Sequence, residues 1–220
     1  MEGGLVHHIP VNWLGMQFNL DTIIYTWLTM AVMLVFAWAG ARRLEMVPTG
    51  AQNLFEGLVE YVESMTDEMI GPEGRKVAPY LFTLFLFLTL ANLWGLVPKM
   101  TSPTNDLNTN LGLALISTVG VYFIGVWRKG PGYFKHFLEP LWFMLPLNIL
   151  DELIRPLTLA LRLFVNILVG EVLLMVLNQI VPIGIPVFWL MMSVLIGLIQ
   201  AFVFTLLSTV YLASALSNDH

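Results

Sequence analysis

The stretch LWFMLPLNILDELIRPLTLALRLFVNILVGEVLLMVLNQIV, residues 141–181, decides the fold of this chain. It is apolar over about 40 residues, which would measure roughly 60 Å as a helix. The hydrocarbon layer of a bilayer is only about 30 Å thick, so such a helix must be strongly tilted, kinked or partly flat. After the proline-containing residues 182–186, a second long apolar segment covers residues 187–216. The two segments predict a long, strongly tilted two-helix hairpin in a membrane.

The composition of the whole chain agrees with a membrane protein. Of its 220 residues 57% are hydrophobic and 11% charged, which is far from the balance of a soluble domain. The net charge is −5, so no basic surface indicates a nucleic-acid partner. Cysteine is absent, which excludes a thiolate metal site and a cysteine nucleophile. We expect partners in the bilayer, and neither a cofactor nor a bound metal.

The rest of the chain divides into shorter apolar and polar segments. We predict an outer tail over 1–19, a span over 20–41, an amphipathic surface helix over 49–70, a span over 79–98, an outer loop over 99–110, a span over 111–127 and an inner loop over 128–137. Arg42 and Arg43 directly follow the first span, which places its end inside by the positive-inside rule. Residues 1–220 are therefore expected to form one all-α membrane domain with several transmembrane helices.

Charged residues interrupt the long apolar segment 141–181. They are Asp151, Glu152, Arg155, Arg162 and Glu171. A charge at the centre of a bilayer costs about 2.5–3.5 kcal/mol on insertion scales, so such residues usually line a polar path or face a partner. Function is the first hypothesis for each of them.

A helix places several polar residues of this segment on one stripe. At about 100° per residue, the stripe contains Asn148, Asp151, Arg155, Thr158, Arg162 and Asn166. Glu171 follows Arg162 by nine residues, so it faces another side and lies about 13 Å further along the axis. The last helix carries a second, milder stripe of Ser193, Gln200 and Tyr211. If the two helices pair around 182–186, Gln200 can lie near Arg162 and hold its guanidinium through the amide oxygen.

Each of these residues also has a structural interpretation. Either arginine of the first stripe could pair with a carboxylate and lock the packing of the helices. Asp151, Glu152 and Arg155 could lie at the inner membrane interface, where a charge costs little. Ser193 and Gln200 could be ordinary hydrogen-bonding groups between helices.

Four segments of the chain resemble the ATP synthase subunit a family, the membrane stator subunit of the rotary F-type ATP synthase. Residues 155–171, RPLTLALRLFVNILVGE, resemble its arginine-centred signature. NLWGLVP at 92–98 resembles the end of its second spanning helix, and SPTNDLNT at 102–109 its following outer loop. QAFVFTLL at 200–207 resembles its last helix. The resemblance spans most of the chain in the expected order.

The resemblance implies roles for particular residues. Arg162 matches the essential arginine, which faces a ring of c subunits whose carboxylates carry ions between two offset half-channels. Glu171 matches a polar residue of the outer half-channel, and Gln200 matches the partner of the arginine.

Some positions depart from the family pattern. Asn148 stands where the family often has a glutamate of the inner half-channel, which leaves Asp151 or Glu152 for that path. Ser193 stands where some members carry histidine, which leaves Glu171 as the main titratable group of the outer path. Asn166 completes the set of residues that we assign to the ion path.

The function implied is that of a stator subunit that conducts ions, most simply protons, and is not itself an enzyme. The implied partners are the c-subunit ring, the b subunits of the peripheral stalk, the other ATP synthase subunits and the lipid bilayer. A bacterial plasma membrane fits better than a thylakoid. The alternatives are a secondary ion transporter or another ion-driven motor stator. No internal repeat is evident, which argues against the transporter, and the choice between H⁺ and Na⁺ depends largely on the ring.

Overall fold

The computed structural model describes residues 10–13, 16–42, 50–95, 102–130, 145–180 and 184–216. The α-helices of this part of the chain are, in order, α1 (Leu20–Ala41), α2 (Ala51–Ile70), α3 (Ala78–Trp94), α4 (Leu107–Lys129), α5 (Leu145–Ile180) and α6 (Ile185–Leu216). Short 3₁₀ turns precede α3 and α4, over Pro72–Lys76 and Pro103–Asn105.

Four of the described helices are long and apolar enough to cross a membrane. These are α1, α4, α5 and α6, with apolar spans over Leu20–Ala41, Leu107–Ile124, Leu153–Ile180 and Ile185–Ser214. α3 is also apolar but has only 17 residues, which is about 25 Å of helix. The predicted all-α membrane fold class is confirmed, and the chain is a multi-pass membrane protein.

The last two helices form the long hairpin that the apolar segments predict. α5 has 36 residues and α6 has 32, so they measure about 54 and 48 Å, well beyond the hydrocarbon thickness. At one end Trp189 Nε1 donates to Gly170 O over 3.2 Å. At the other end the Arg155 guanidinium lies 4.9 Å from the centre of the Tyr211 ring. These contacts make the helices antiparallel, while their tilt in a bilayer remains a prediction.

The hairpin packs with α3 and α4 around one apolar core. Its fully or nearly fully buried members come mostly from α3 to α6: Leu81, Leu84, Leu88, Ala114, Val121, Leu159, Leu163, Ala201, Phe204 and Leu212. The outer faces of the same bundle are strongly apolar, as expected where lipid or membrane partners replace water. On α1, for example, Trp27 and Leu34 are exposed.

α2 is the predicted amphipathic surface helix. Its carboxylates, including Glu60 and Glu63, are exposed, whereas Val62 and Thr66 are buried against the bundle. The predicted apolar stripe is only partly covered, because Tyr61 remains half exposed. α2 ends where Gly71 adopts a φ of +81°, a conformation that a residue with a Cβ rarely takes. An exposed apolar stripe beside a carboxylate face is typical of a helix that lies in the membrane interface.

The N-terminal region contains structure that the sequence analysis did not predict. Within the expected outer tail 1–19, strands Pro10–Trp13 and Met16–Asn19 form an antiparallel hairpin. Asn19 Nδ2 donates to Asp106 Oδ2 over 2.8 Å, which ties this hairpin to the segment before α4. The strands are too short to show a clear alternating pattern.

α4 begins earlier than the predicted span over 111–127. Asp106 caps it, since its Oδ1 accepts the backbone N–H of Asn108 over 2.9 Å, so the helix starts at Leu107. The predicted outer loop 99–110 thus ends at Asp106 within the described residues. At the other end α4 continues to Lys129, while 131–137 of the predicted inner loop lie outside the described residues.

Candidate functional site

Arg162 lies on an exposed face of α5. Val165 and Val169 share this face and are 48% and 49% exposed. Arg162 is itself exposed, and no hydrogen bond or ion pair joins it to any residue that the structure describes. A permanently charged guanidinium therefore stands on an apolar surface of a membrane helix without a partner among the described residues.

Arg155, seven residues before Arg162, has a different environment. It is half-buried and its guanidinium stacks over the Tyr211 ring, 4.9 Å from the ring centre. Arg155 also takes part in a further contact. Arg155 thus contacts the neighbouring helix through an aromatic ring, whereas no described residue pairs with Arg162.

A cavity of about 230 Å³ lies further along α5, on the C-terminal side of Arg162. Helices α3, α5 and α6 all contribute to its walls. Among the predicted site residues, Asn166, Glu171 and Ser193 line it, and Asn92 and Trp189 complete its polar wall. Sequence reasoning placed Glu171 on another side of α5 from Asn166, but the cavity is wide enough to reach both.

A residue outside α5 forms a hydrogen bond with the Glu171 carboxylate. Asn105 Nδ2 donates to Glu171 Oε2 over 2.8 Å, across 66 positions of sequence. The Ser193 Oγ is buried at the cavity without a hydrogen-bond partner in the described part of the chain. A buried hydroxyl in a polar cavity is a suitable contact for a water molecule or a transported ion.

Gln200 lies on α6, where its side chain is only 9% exposed. No hydrogen bond joins it to Arg162 in the described part of the structure, so this partnership remains a prediction. Asn148, Asp151 and Glu152 belong to the first turns of α5, but their side chains lie outside what the structure describes. Their assignment to the inner path remains a prediction as well.

Sequence reasoning missed Asn92 and Asn105. Asn92 Nδ2 donates to Gly197 O over 2.9 Å, and Asn92 Oδ1 accepts from Thr104 Oγ1 over 3.0 Å, so Asn92 joins α3, α6 and the 103–105 turn. Asn92 begins the segment 92–98 that carries part of the family resemblance, but the sequence analysis assigned it no role. Asn105 was hidden in a segment that reads as an ordinary polar loop.

The described residues offer no metal centre. No group of three or more His, Cys, Asp or Glu side chains in that part of the chain could hold a metal ion. The four histidines, at positions 7, 8, 136 and 220, lie outside it.

The sequence matches the ATP synthase A chain family over residues 23–213. It is similar to ATP synthase subunit a of Solidesulfovibrio magneticus, with 43% identity over 206 residues, which covers 91% of this chain and 86% of the relative. The subunit a of Moorella thermoacetica is 38% identical over 88% of this chain and 89% of its own length. For Oleidesulfovibrio alaskensis the identity is 38%, over 97% of this chain and 92% of the relative.

Proposed function

The chain belongs to the ATP synthase A chain family, as the resemblance predicted, and from this premise we propose that it is the proton-conducting stator subunit of a rotary ATP synthase. It is not itself catalytic; it couples ion flow through the membrane to rotation of a c-subunit ring. Its further partners are the peripheral-stalk b subunits and the other subunits of the complex, in a bacterial plasma membrane.

The observation that carries this proposal is the exposed guanidinium of Arg162, which has no partner among the residues that the structure describes. A charge inside a bilayer is costly, by about 2.5–3.5 kcal/mol even on the lower scales. No described residue of the chain offsets this cost, which favours a contact with a second molecule. Carboxylates on a neighbouring membrane subunit have the right charge. Because they must also leave again, the contact has to be made and broken in turn.

Arg162 acts on these carboxylates in two ways. A ring carboxylate that reaches it is favoured in the ionised form and releases its proton. Because arginine keeps its charge in almost any environment, it also forms a permanent barrier to protons that would pass straight from one half-channel to the other. The released proton leaves through one path, and the ring carboxylate is recharged from the other.

The outer path is the cavity beside Glu171. Among the described residues that line this cavity, Glu171 is the only charged one, and it lies about 13 Å along α5 from Arg162. Asn166 and Ser193 add polar contacts along the wall. The inner path starts from the opposite end of α5, where Asn148, Asp151 and Glu152 are the available polar groups.

The offset of the two paths converts ion flow into rotation. A carboxylate must travel around the ring to pass from the exit of one path to the entrance of the other. Each charge that moves through the membrane potential releases about 2.3 kcal/mol per 100 mV, which is available as torque. Gln200, buried on the neighbouring helix, is assigned to orient Arg162 through its amide oxygen.

Disulfide cross-linking tests which face meets the ring. The chain has no cysteine of its own, so single variants report cleanly. Val165→Cys, on the face of Arg162, should cross-link to a cysteine placed beside the carboxylate of the ring helix. Leu34→Cys on α1, 68% exposed, is the control and should not react. Cross-linking by the control alone would show that another face meets the ring.

A further inference from the structure

The segment 102–105 is polar in sequence yet deeply buried. Ser102 is 1% exposed, Thr104 0% and Asn105 3%, although these residues belong to a loop between two helices. Loops normally run over the surface because their backbone groups need water. A buried polar loop must satisfy its groups internally, so its contacts define its position closely.

Hydrogen bonds fix this turn without using the side chain of Asn105. The Asn105 backbone N–H donates to Ser102 O over 3.0 Å. Ser102 Oγ donates to Ala91 O over 2.7 Å, and Thr104 Oγ1 donates to Asn92 Oδ1 over 3.0 Å. Asn110 Nδ2 donates to Thr104 O over 2.6 Å. The turn is thus anchored to α3 and α4 by groups other than the Asn105 amide.

The Asn105 amide is directed at Glu171 instead. Its Nδ2 lies 2.8 Å from Glu171 Oε2. Its Oδ1 is buried and has no hydrogen-bond partner among the described residues, so no other described contact accounts for the side chain. The amide must present nitrogen to an ionised carboxylate, because the reverse orientation would bring two acceptor oxygens together.

We propose that Asn105 is a positioning residue for the outer proton path: it holds the Glu171 carboxylate at the cavity wall and sets the pH range over which Glu171 exchanges protons. This inference rests on the proposed function. A donated hydrogen bond to a carboxylate favours the ionised form. Asparagine does this without a charge, so the carboxylate is held in place and can still take up a proton. Arginine or lysine in the same place would hold it permanently ionised.

Glu171 also takes part in a further interaction within the described structure, but the cavity wall supplies no second charge there. The described residues that line the cavity from α3, α5 and α6 include no titratable side chain besides Glu171. Asp106, next to Asn105, accepts hydrogen bonds from Asn19 and from the Asn108 backbone instead. Arg162 lies about 13 Å away along the helix.

The test is the pH profile of ATP-driven proton pumping, in vesicles that contain equal amounts of assembled complex. Asn105→Leu removes the donor, and Asn105→Asp removes it at constant shape and adds a second acid beside Glu171. Both should move the half-maximal pH on the acid side upward, by about one pH unit for Leu and by more for Asp. Asn108→Leu, an exposed residue after the same turn, is the matched control and should leave the profile unchanged.

Repeating the measurement in the Glu171→Gln variant separates a positioning role of Asn105 from a general structural role. In Glu171→Gln complexes, which we expect to pump slowly but measurably, adding Asn105→Leu should cause no further shift because the titrating group is gone. An unshifted profile in Asn105→Leu, a shift that persists with Glu171→Gln, or loss of assembly in both Asn105 variants would overturn the inference. Failure of the proposed function is a separate result: the wild-type complex would not pump protons, or Arg162→Ala would.

Discussion

Two polar regions of the same hairpin are built in opposite ways. Around Glu171, side chains from the 103–105 turn and from α3 form a buried hydrogen-bonded network that also includes a backbone carbonyl of α6. Around Arg162 the chain offers exposed valines and no described partner. A group that passes protons along a fixed path benefits from being held, whereas a group that must meet a succession of moving carboxylates must be free of permanent contacts. The contrast therefore supports the proposed division into an ion path around Glu171 and a contact surface around Arg162.

The largest effect is expected when the arginine of the contact surface is replaced by lysine, the other basic side chain of similar length. Arg162→Lys should abolish coupled pumping, because lysine lacks the planar guanidinium and can lose its proton near an apolar partner. Proton pumping and ATP synthesis in vesicles measure the loss. Arg75→Lys, an exposed arginine paired with Asp67 at 3.4 Å, should have no effect. Pumping by Arg162→Lys at the wild-type rate would mean that any positive charge suffices.

A smaller but clear loss is expected at the path. Glu171→Gln keeps the hydrogen-bonding shape and removes the proton-exchanging group, so pumping should slow by about a hundredfold while assembly is retained. Glu60→Gln, an exposed carboxylate on α2, serves as control and should pump normally. Normal pumping by Glu171→Gln over a wide pH range would show that Glu171 is structural.

Weakening the hydrogen-bonded network around Asn92 should lower the stability of the complex. Asn92→Leu removes the donor to Gly197 O and the acceptor for Thr104 Oγ1, both buried. Losing these two hydrogen bonds should lower the free energy of unfolding by about 1–3 kcal/mol. The loss should be visible as a lower unfolding temperature of the purified complex. Asn53→Leu, exposed on α2, is the control. An unchanged temperature would mean that the outer end does not depend on this network.

The smallest effect is expected at the inner end of the hairpin. Tyr211→Leu removes the ring beneath the Arg155 guanidinium and should destabilise the complex by about 0.5–1 kcal/mol, whereas Tyr211→Phe keeps the ring and should be near neutral. Thermal unfolding of the two variants side by side measures the difference. Equal stability of both would show that the stacked arrangement contributes little.

The sequence predicted the parts of this comparison that depend on local pattern. The ends of α1 follow from an apolar run of bilayer length, and Arg162 and Glu171 are conspicuous because a charge is rare in such a run. The start of α4 was placed too late because the capping role of Asp106 was overlooked.

The parts that were missed depend on contacts between distant positions. Asn105 and Glu171 are 66 residues apart, and Asn92 and Gly197 are 105 apart. No periodicity in a single helix encodes such pairs. Asn105 also lies in a segment whose polar composition favours exposure, and the packing of α1, α3, α4 and α5 around this turn makes it buried.

The most direct test of the account is Arg162→Ala, measured for assembly and for coupled pumping in vesicles with equal amounts of complex. Because Arg162 has no described partner within the chain, assembly should be normal. Pumping should be absent, because nothing remains to release protons from the ring carboxylates, and a passive proton leak should appear. A structural ion pair predicts the reverse: lost assembly, with pumping in proportion to the complex that remains. Appreciable coupled pumping by the assembled Arg162→Ala complex would contradict the account.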